Sequence, residues 1–572
     1  MASLAEKLST HVASIFEAQG LPANLGVVRV SDRPDLCQFQ CNGALAAAKQ
    51  AKKNPREIAG QIVEALSGYD VIEKLEIAGP GFINIDVKPE FISTILSENM
   101  QGDSFGLERV QAGKNVVLDY GGPNIAKAMH VGHLRSSIIG DTLRRLYGFA
   151  GYNAIGDVHM GDWGTPMGMI LSELEITGFD GEITMEMLAE IYPQASAACK
   201  ADEERMELAR AATKKLQDGD ENATALWRRF IDVSIAGMKK NFDALGVYFD
   251  EWKGESDAHP FIAPMVEDLK ARNFAVESDG ALIVPVKKND DKKEVPPLIL
   301  LKSDGAVLYG TTDLATIIDR VKTHDPEKIV YCVDQRQSLH FEQVFRAAQM
   351  SGIAAHDKPE LIFAGFGTMN GTDGKPFKTR DGGVMRLDDL IEMGLEKARV
   401  RLSEANLDAS IGDEEREDIA KKVAIAAIKF ADLQNQRQSD YVFDLDRMTS
   451  FEGKTGPYLL YQAVRIQSLL KKAGDFSEDG ALVLSEDDIG LALILCEFAD
   501  QFGAALKAHA PHILCDYAYR LAQEFSSYYA RCHILSEENE AVRLSRLRLC
   551  HMVRAQLVCV LSLLGIEIPE RM

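Results

Sequence analysis

His130 and His133 stand three residues apart in NIAKAMHVGHLRSS, with Gly132 between them, Lys127 before and Arg135 after. Two imidazoles at this spacing suit three kinds of structure. One is an ordinary helix start that carries two histidines. Another is a zinc site, although helical ligands favour i, i+4 spacing and no third ligand cluster follows. The third is a phosphate site. A helix N-terminus offers free backbone N–H groups and a partial positive charge. Gly132 removes a side chain that would block close backbone approach. The imidazoles can donate hydrogen bonds to a triphosphate whose charge shifts during transfer. That chemistry needs no attacking protein side chain.

Other segments carry possible chemistry. GFGTMNGTDGKPFKTRDGG, 365–383, presents Lys375 and Lys378 among glycines. Read alone it is a flexible surface loop, and it is not a P-loop because proline follows Lys375 where GxxxxGK[ST] needs Ser or Thr. LYGTTDLA places Tyr309 and Asp313 four apart, on one face if the segment is helical, and Gln337 lies in VDQRQSLHFEQ. FEGKTGPYLLYQAVR puts Tyr458, Tyr461 and Arg465 on one face of a helix begun at Pro457. That face is either a core stripe or an exposed platform for RNA bases. Arg543, Arg546 and Arg548 read as a local basic strip. GDWG, 161–164, reads as a packed turn.

The elements that must position these groups are legible in outline. VVLDY, 116–120, suits a buried parallel strand, and a helix follows from His130 to Phe149 with Leu134, Ile138, Leu143 and Leu146 near helical spacing. Strand, tight turn and helix open a doubly wound, Rossmann-like sheet. Residues from about 170 to 300 have helical periodicity and read as an insertion. The runs ALIVPV (281–286), LILLKS (298–303) and KIVYCV (328–333) are expected to complete the parallel sheet across it. Residues 1–108 read as an α+β domain, 109–405 as the sheet domain, and 406–572 as an all-α bundle.

With 572 residues the chain exceeds one core. A net charge of −23 argues against a protein that merely coats nucleic acid, yet leaves room for a specific RNA met by local basic patches. Nine scattered cysteines without CxxC, no signal peptide and no apolar run of about 18 residues predict a reduced, cytoplasmic protein without a membrane span.

These segments resemble a known family. His130-Val131-Gly132-His133 looks like the HIGH signature of class I aminoacyl-tRNA synthetases, and GGPNIAKAMHVGHLRSSIIGD with DVHMGDWGTPMG resembles the arginyl-tRNA synthetases. Lys375-Pro376-Phe377-Lys378-Thr379 resembles that family's degenerate second signature. The resemblance implies arginine:tRNA ligation through an arginyl-adenylate, with ATP and Mg²⁺ as its companion but no dedicated metal site. It assigns His130, His133, Lys127 and Lys378 to catalysis, and His130, Gly132, His133, Lys375 and Lys378 to ATP. It assigns Asp119, Asn124, His159, Tyr309, Asp313 and Gln337 to arginine. It assigns Phe82 and Asn84, in the N-terminal domain that meets the tRNA elbow, and Tyr458, Tyr461, Arg465 and Tyr529, in a DALR-type anticodon-binding bundle, to tRNA(Arg). A monomer is expected. The chain departs from the family at Gly121 and Gly122, where Ser or Ala is common before Pro-Asn, and at Pro166 and Met167, where Gln-Phe is common.

Overall fold

The computed structural model describes residues 3–110, 112–303, 305–355, 358–371, 373–375, 377, 385–404, 411–478 and 480–572. At its centre lie four parallel strands, β1 (Asn115–Asp119), β2 (Asn153–Asp157), β3 (Lys328–Tyr331) and β4 (Glu360–Phe363), in the order β4-β3-β1-β2. Helix α1 (Gly132–Phe149) connects β1 to β2, α2 (Tyr309–His324) precedes β3, and α3 (Ser338–Ser351) joins β3 to β4. Both sheet faces are covered, so the strands are continuous apolar runs: Val116, Val117, Leu118, Ile329 and Val330 are all buried. The expected apolar set of α1, Leu134, Ile138, Leu143 and Leu146, is buried too. The strand order reverses between β1 and β3, which opens a crevice at their carboxyl ends. Register sets Asp157, Asp119, Tyr331 and Phe363 in a row along that edge.

Two of the expected strands do not join this sheet. ALIVPV and LILLKS supply Ala281–Val284 and Leu298–Leu301, which form a separate antiparallel sheet with Val276–Ser278. The cause is local. Asp279 and Gly280 have φ of 48° and 78°, the two-residue turn that closes a twisted hairpin. That hairpin takes one edge of Ala281–Val284 and Leu298–Leu301 takes the other, leaving none for a parallel neighbour. The rest of the insertion is helical, from Met185–Ala201 to Glu255–Ala271.

Before the central sheet, helices pack on a four-stranded antiparallel sheet whose last hairpin turns between Ile72–Ala78 and Phe82–Val87. After it, helices from Asp413–Leu433 to Glu540–Leu563 build the bundle. Glu486–Ala508 is long and apolar enough to cross a membrane, contrary to the expectation that no run reaches that length. Here it is two helices meeting at Glu497, with Leu491, Leu495, Phe498 and Phe502 buried in the bundle core.

Arg135 ties α1 to this bundle and is not free to meet a phosphate. It is 2% exposed, its Nε lies 3.1 Å from an Asp432 carboxylate that is fully buried, and its Nη1 donates to the carbonyls of Gly367 at 2.7 Å and Ser439 at 3.0 Å. Arg135→Met strands Asp432 as a buried charge, so the urea midpoint should fall by the equivalent of about 3–5 kcal/mol, and Arg135→Met/Asp432→Leu should recover most of that loss. The basic strip of the last helix is likewise broken up. Arg546 is buried and donates to Glu537 at 2.9 Å, while Arg548 donates to the carbonyls of Ser477 and Ala481 at 3.0 and 3.1 Å.

Candidate active site

The chain leaves β1 through Gly121 and Gly122 at φ of 84° and 42°. Such a left-handed pair resists L side chains, and a Cβ on Gly121 would press against Phe249 at 3.0 Å. The Gly-Gly departure thus belongs to the turn itself. The other departure is absorbed as well: Pro166 sits in the first turn of the helix Thr165–Thr177, where no N–H is missed, and Met167 is buried. Beyond the turn, Ile125 N–H donates to the Gly161 carbonyl and Gly161 N–H to that of Pro123, each at 3.1 Å. Asn124 is exposed there, and its Oδ1 occupies the place a Cβ on Gly161 would take. GDWG is a clamp, as its composition suggested: Ser256 N–H and Oγ–H donate to Asp162 at 3.0 and 2.6 Å, and Trp163 packs on Trp227 and His259.

The two histidines are locked by the backbone. His130 N–H donates to His133 Nδ1 at 3.1 Å, and Gly132 N–H donates to His130 Nδ1 at 3.0 Å. Each Nδ1 therefore accepts, and in the neutral rings the proton sits on Nε2. Burial, then Lys127, lowers the pKa of His130. Burial, then His130, pushes His133 down to about 3. The pair, with ring centroids 4.0 Å apart, thus offers two uncharged donors. The His130 ring also folds over the exposed Gly132, where a Cβ would come within 2.7 Å of it. Lys127 Nζ lies 4.5 Å from the ring centroid of Tyr192, on the insertion helix Met185–Ala201.

The end of the lysine-bearing loop is stitched to this segment. Val131 N–H donates to the Met385 carbonyl and Leu387 N–H to that of Met129, each at 3.0 Å. Lys375 is exposed, in a turn where Gly371 N–H donates to its carbonyl at 2.7 Å. Lys378 lies outside the described residues.

Across the crevice, α2 begins at Tyr309, which is 72% exposed, and presents Asp313 one turn later. His340 Nε2 meets Asp313 Oδ2 at 2.5 Å, and Gln337 is exposed one turn before His340. Glu255 completes the group. Burial, Asp162 and Asp313 push its carboxyl up to about 7, and burial and Glu255, with Tyr192, raise Tyr309. Neither Glu255 nor His340 was singled out in the sequence. Glu255 opens a helix, where an acid reads as an ordinary dipole partner; the i, i+3 spacing of Gln337 and His340 was the available signal for the histidine. At the crevice floor, Arg320 Nη2 donates to Asp119 at 2.7 Å and Asp157 at 2.6 Å. His159 lies near enough to act on the Asp119 charge.

Family models match nearly the whole chain: "tRNA synthetases class I (R), catalytic domain" over residues 92–445, "DALR anticodon binding domain" over 459–572 and "Arginyl tRNA synthetase N terminal domain" over 2–87. The chain belongs to the arginyl-tRNA synthetases. Relatives named arginine–tRNA ligase include those of Maricaulis maris, 50% identical, and Hyphomonas neptunium, 51% identical, each matched over 100% of both chains. Among solved structures, the Plasmodium falciparum arginyl-tRNA synthetase is 26% identical with a TM-score of 0.84, again over 100% of both chains. The Thermus thermophilus enzyme shares the fold over 100% of both chains at 23% identity, with a TM-score of 0.81.

The synthetase's bundle carries an open aromatic face. Tyr461 and Tyr529 are 45% and 37% exposed, Arg465 stacks over Tyr529 at 4.4 Å, and Tyr458 meets Tyr519 edge-on at 5.8 Å. The face is therefore not a core stripe. In the N-terminal sheet Phe82 is half-buried beside the turn. Asn84, however, is 5% exposed and accepts from Gln40 Nε2 at 2.9 Å, so it sits inside the sheet rather than on an open surface.

Proposed function

We propose that the crevice at the carboxyl ends of β1 and β3 is where arginine and ATP meet in this arginine–tRNA ligase. The overall reaction joins arginine to tRNA(Arg) at the expense of ATP. The arginine carboxylate attacks the α-phosphorus of ATP and pyrophosphate leaves; a terminal ribose hydroxyl of the tRNA then attacks the adenylate carbonyl and AMP leaves. The chain supplies positioning and electrostatics. His130 and His133 donate Nε2–H to the phosphates, and Lys127, Lys375 and Lys378 add positive charge. Mg²⁺ arrives with ATP as its counter-ion; among the described residues no group of three or more His, Cys, Asp or Glu side chains is set to hold a metal. Asp119, Asn124 and His159 take the amino-acid end, and Tyr309, Asp313, Gln337 and Glu255 take the guanidinium. The Tyr461, Arg465 and Tyr529 face, with Tyr458, stacks on anticodon bases, and Phe82 meets the elbow. One chain is the working unit, with units at about 1–108, 109–405 and 406–572, and nine free cysteines suit a reducing cytoplasm.

The observations that support this reading are the pair of backbone-locked neutral imidazoles and Tyr192, which links their segment to the Tyr309, Asp313 and Glu255 group by touching Lys127 on one side and acting on Tyr309 on the other. ATP–pyrophosphate exchange with each amino acid in turn, with and without tRNA, tests it. Exchange should require arginine. Exchange supported by lysine or cysteine instead would sink the assignment.

Glu255 gives a pH test. Its free-enzyme pKa of about 7 means that it gains a proton as pH falls below neutrality, while a guanidinium partner needs the carboxylate. The KM for arginine should therefore rise as pH falls from about 8 to about 6, by up to tenfold per unit below the pKa. Glu255→Gln should raise KM throughout and flatten that slope; an unchanged slope removes Glu255 from the pocket.

A further inference from the structure

The strand register places Asp119 and Asp157 side by side on one face of the sheet, with strand axes about 4.8 Å apart. Two adjacent carboxylates, Asp157 enclosed and Asp119 partly so, are tenable only with a cation between them. Arg320, from α2, is that cation. It is fully buried, its Nη2 lies 2.7 Å from Asp119 Oδ2 and 2.6 Å from Asp157 Oδ2, and its guanidinium lies 5.3 Å from the Tyr331 ring centroid. Both carboxylates thus give Arg320 the same oxygen, Oδ2. Asp157 Oδ1, on a fully buried side chain, and His159 Nδ1 are enclosed with no hydrogen-bond partner. The neighbouring cation, Lys253, is taken up by Asp319 at 2.7 Å and Glu251 at 3.6 Å. Arg320 Nη1 is likewise enclosed without a partner, and within this hydrogen-bonded group of three the two carboxylates outnumber the one cation.

We infer that Arg320 is a positioning residue that shapes a seat for the substrate's α-ammonium. It turns Asp119 and Asp157 towards each other and leaves one uncompensated negative charge at the crevice floor for that ammonium to neutralise. The inference rests on the reading that Asp119 faces the amino-acid end. It explains how a substrate with two cationic ends binds in one direction. The floor already holds a guanidinium, so the space left suits a compact ammonium rather than a second planar fork. The substrate's own guanidinium is directed to Asp313 and Glu255.

The test uses the full chain with tRNA in ATP–pyrophosphate exchange, and 5-guanidinopentanoate, which is arginine without its α-amino group, as competing probe. Arg320→Lys keeps the charge but loses the fork. Arg320→Met/Asp157→Asn keeps one net negative charge and avoids stranding two buried carboxylates, so it guards against simple misfolding. In both, the KM for arginine should rise by about 10–100-fold, while inhibition by 5-guanidinopentanoate stays nearly unchanged. A parallel change for both ligands, or no change for either in folded protein, overturns the inference. Asp119→Asn separates the two layers. If it too leaves the arginine-to-analogue ratio at the wild-type value, the placing of the α-amino group is wrong and the inference falls with it. If it collapses the ratio and the Arg320 variants do not, only the role of Arg320 fails.

Discussion

His133→Ala should slow arginine-dependent ATP–pyrophosphate exchange by about 10²–10³-fold and leave the KM for arginine nearly unchanged. The ring's value lies in a fixed donor. Its Nδ1 is occupied by His130 N–H, so Nε2–H points away from the backbone and costs no reorganisation when charge builds on the leaving pyrophosphate. The alanine variant loses that donor and also strips His130 N–H of its acceptor, which loosens the second imidazole. His133→Asn should restore part of the rate, because an amide can accept with its oxygen and donate with its nitrogen. The low pKa sharpens the test. With His133 neutral from about pH 3 upward, its own titration contributes no change in rate between about pH 6 and 8; an imidazolium donor would instead lose activity as pH rose through its pKa. The same shift acts on stability. A histidine held below its ordinary value favours the fold fully above about 6.5, and that contribution is lost as pH falls from there towards 3. A rate unaffected by His133→Ala, or one altered only through zinc content, would return the motif to an ordinary helix start or to a metal site.

Asp313→Asn should lower kcat/KM for arginine by about 10²–10³-fold, expressed mainly in KM, the order expected when one partner of a desolvated charge pair is removed. Asp313 is held by His340 through Oδ2 at 2.5 Å, which on the proposed reading leaves Oδ1 to meet the guanidinium in a fixed direction. His340→Ala should therefore cost less than Asp313→Asn, about tenfold, because the carboxylate remains but loses its orientation. Competition by 5-guanidinopentanoate, which keeps the guanidinium and lacks the α-amino group, should weaken in parallel with arginine binding in Asp313→Asn. If its binding is untouched while the arginine KM rises, Asp313 faces the α-amino end of the substrate.

Much of this site lies in contiguous stretches and is legible there. Strand, Gly-Gly turn, HVGH and helix follow one another within a few residues, so local geometry suffices to place the imidazoles at a helix N-terminus. Tyr309 and Asp313 share a face because four residues make about one turn. The departures at Gly121, Gly122, Pro166 and Met167 each have a local backbone or packing role. The misplaced strands, 281–286 and 298–303, show the limit. Their apolar runs fit a parallel or an antiparallel strand equally, and the Asp279-Gly280 turn chose between them.

By itself the sequence determined the class of sheet, the place of the two histidines at a helix start, the helices of the insertion and bundle, and which aromatic residues share a face of the C-terminal helices, because each depends on residues within a turn or two of one another. Only the tertiary structure decided where Arg135, Glu255, His340 and Arg320 go. Each of these is a single charged or polar side chain whose partner lies between 27 residues away, as for His340 and Asp313, and 297 away, as for Arg135 and Asp432. No periodicity reports such a pairing. It follows from strand register and helix packing, which bring together charges that in the unfolded chain would each be satisfied by water.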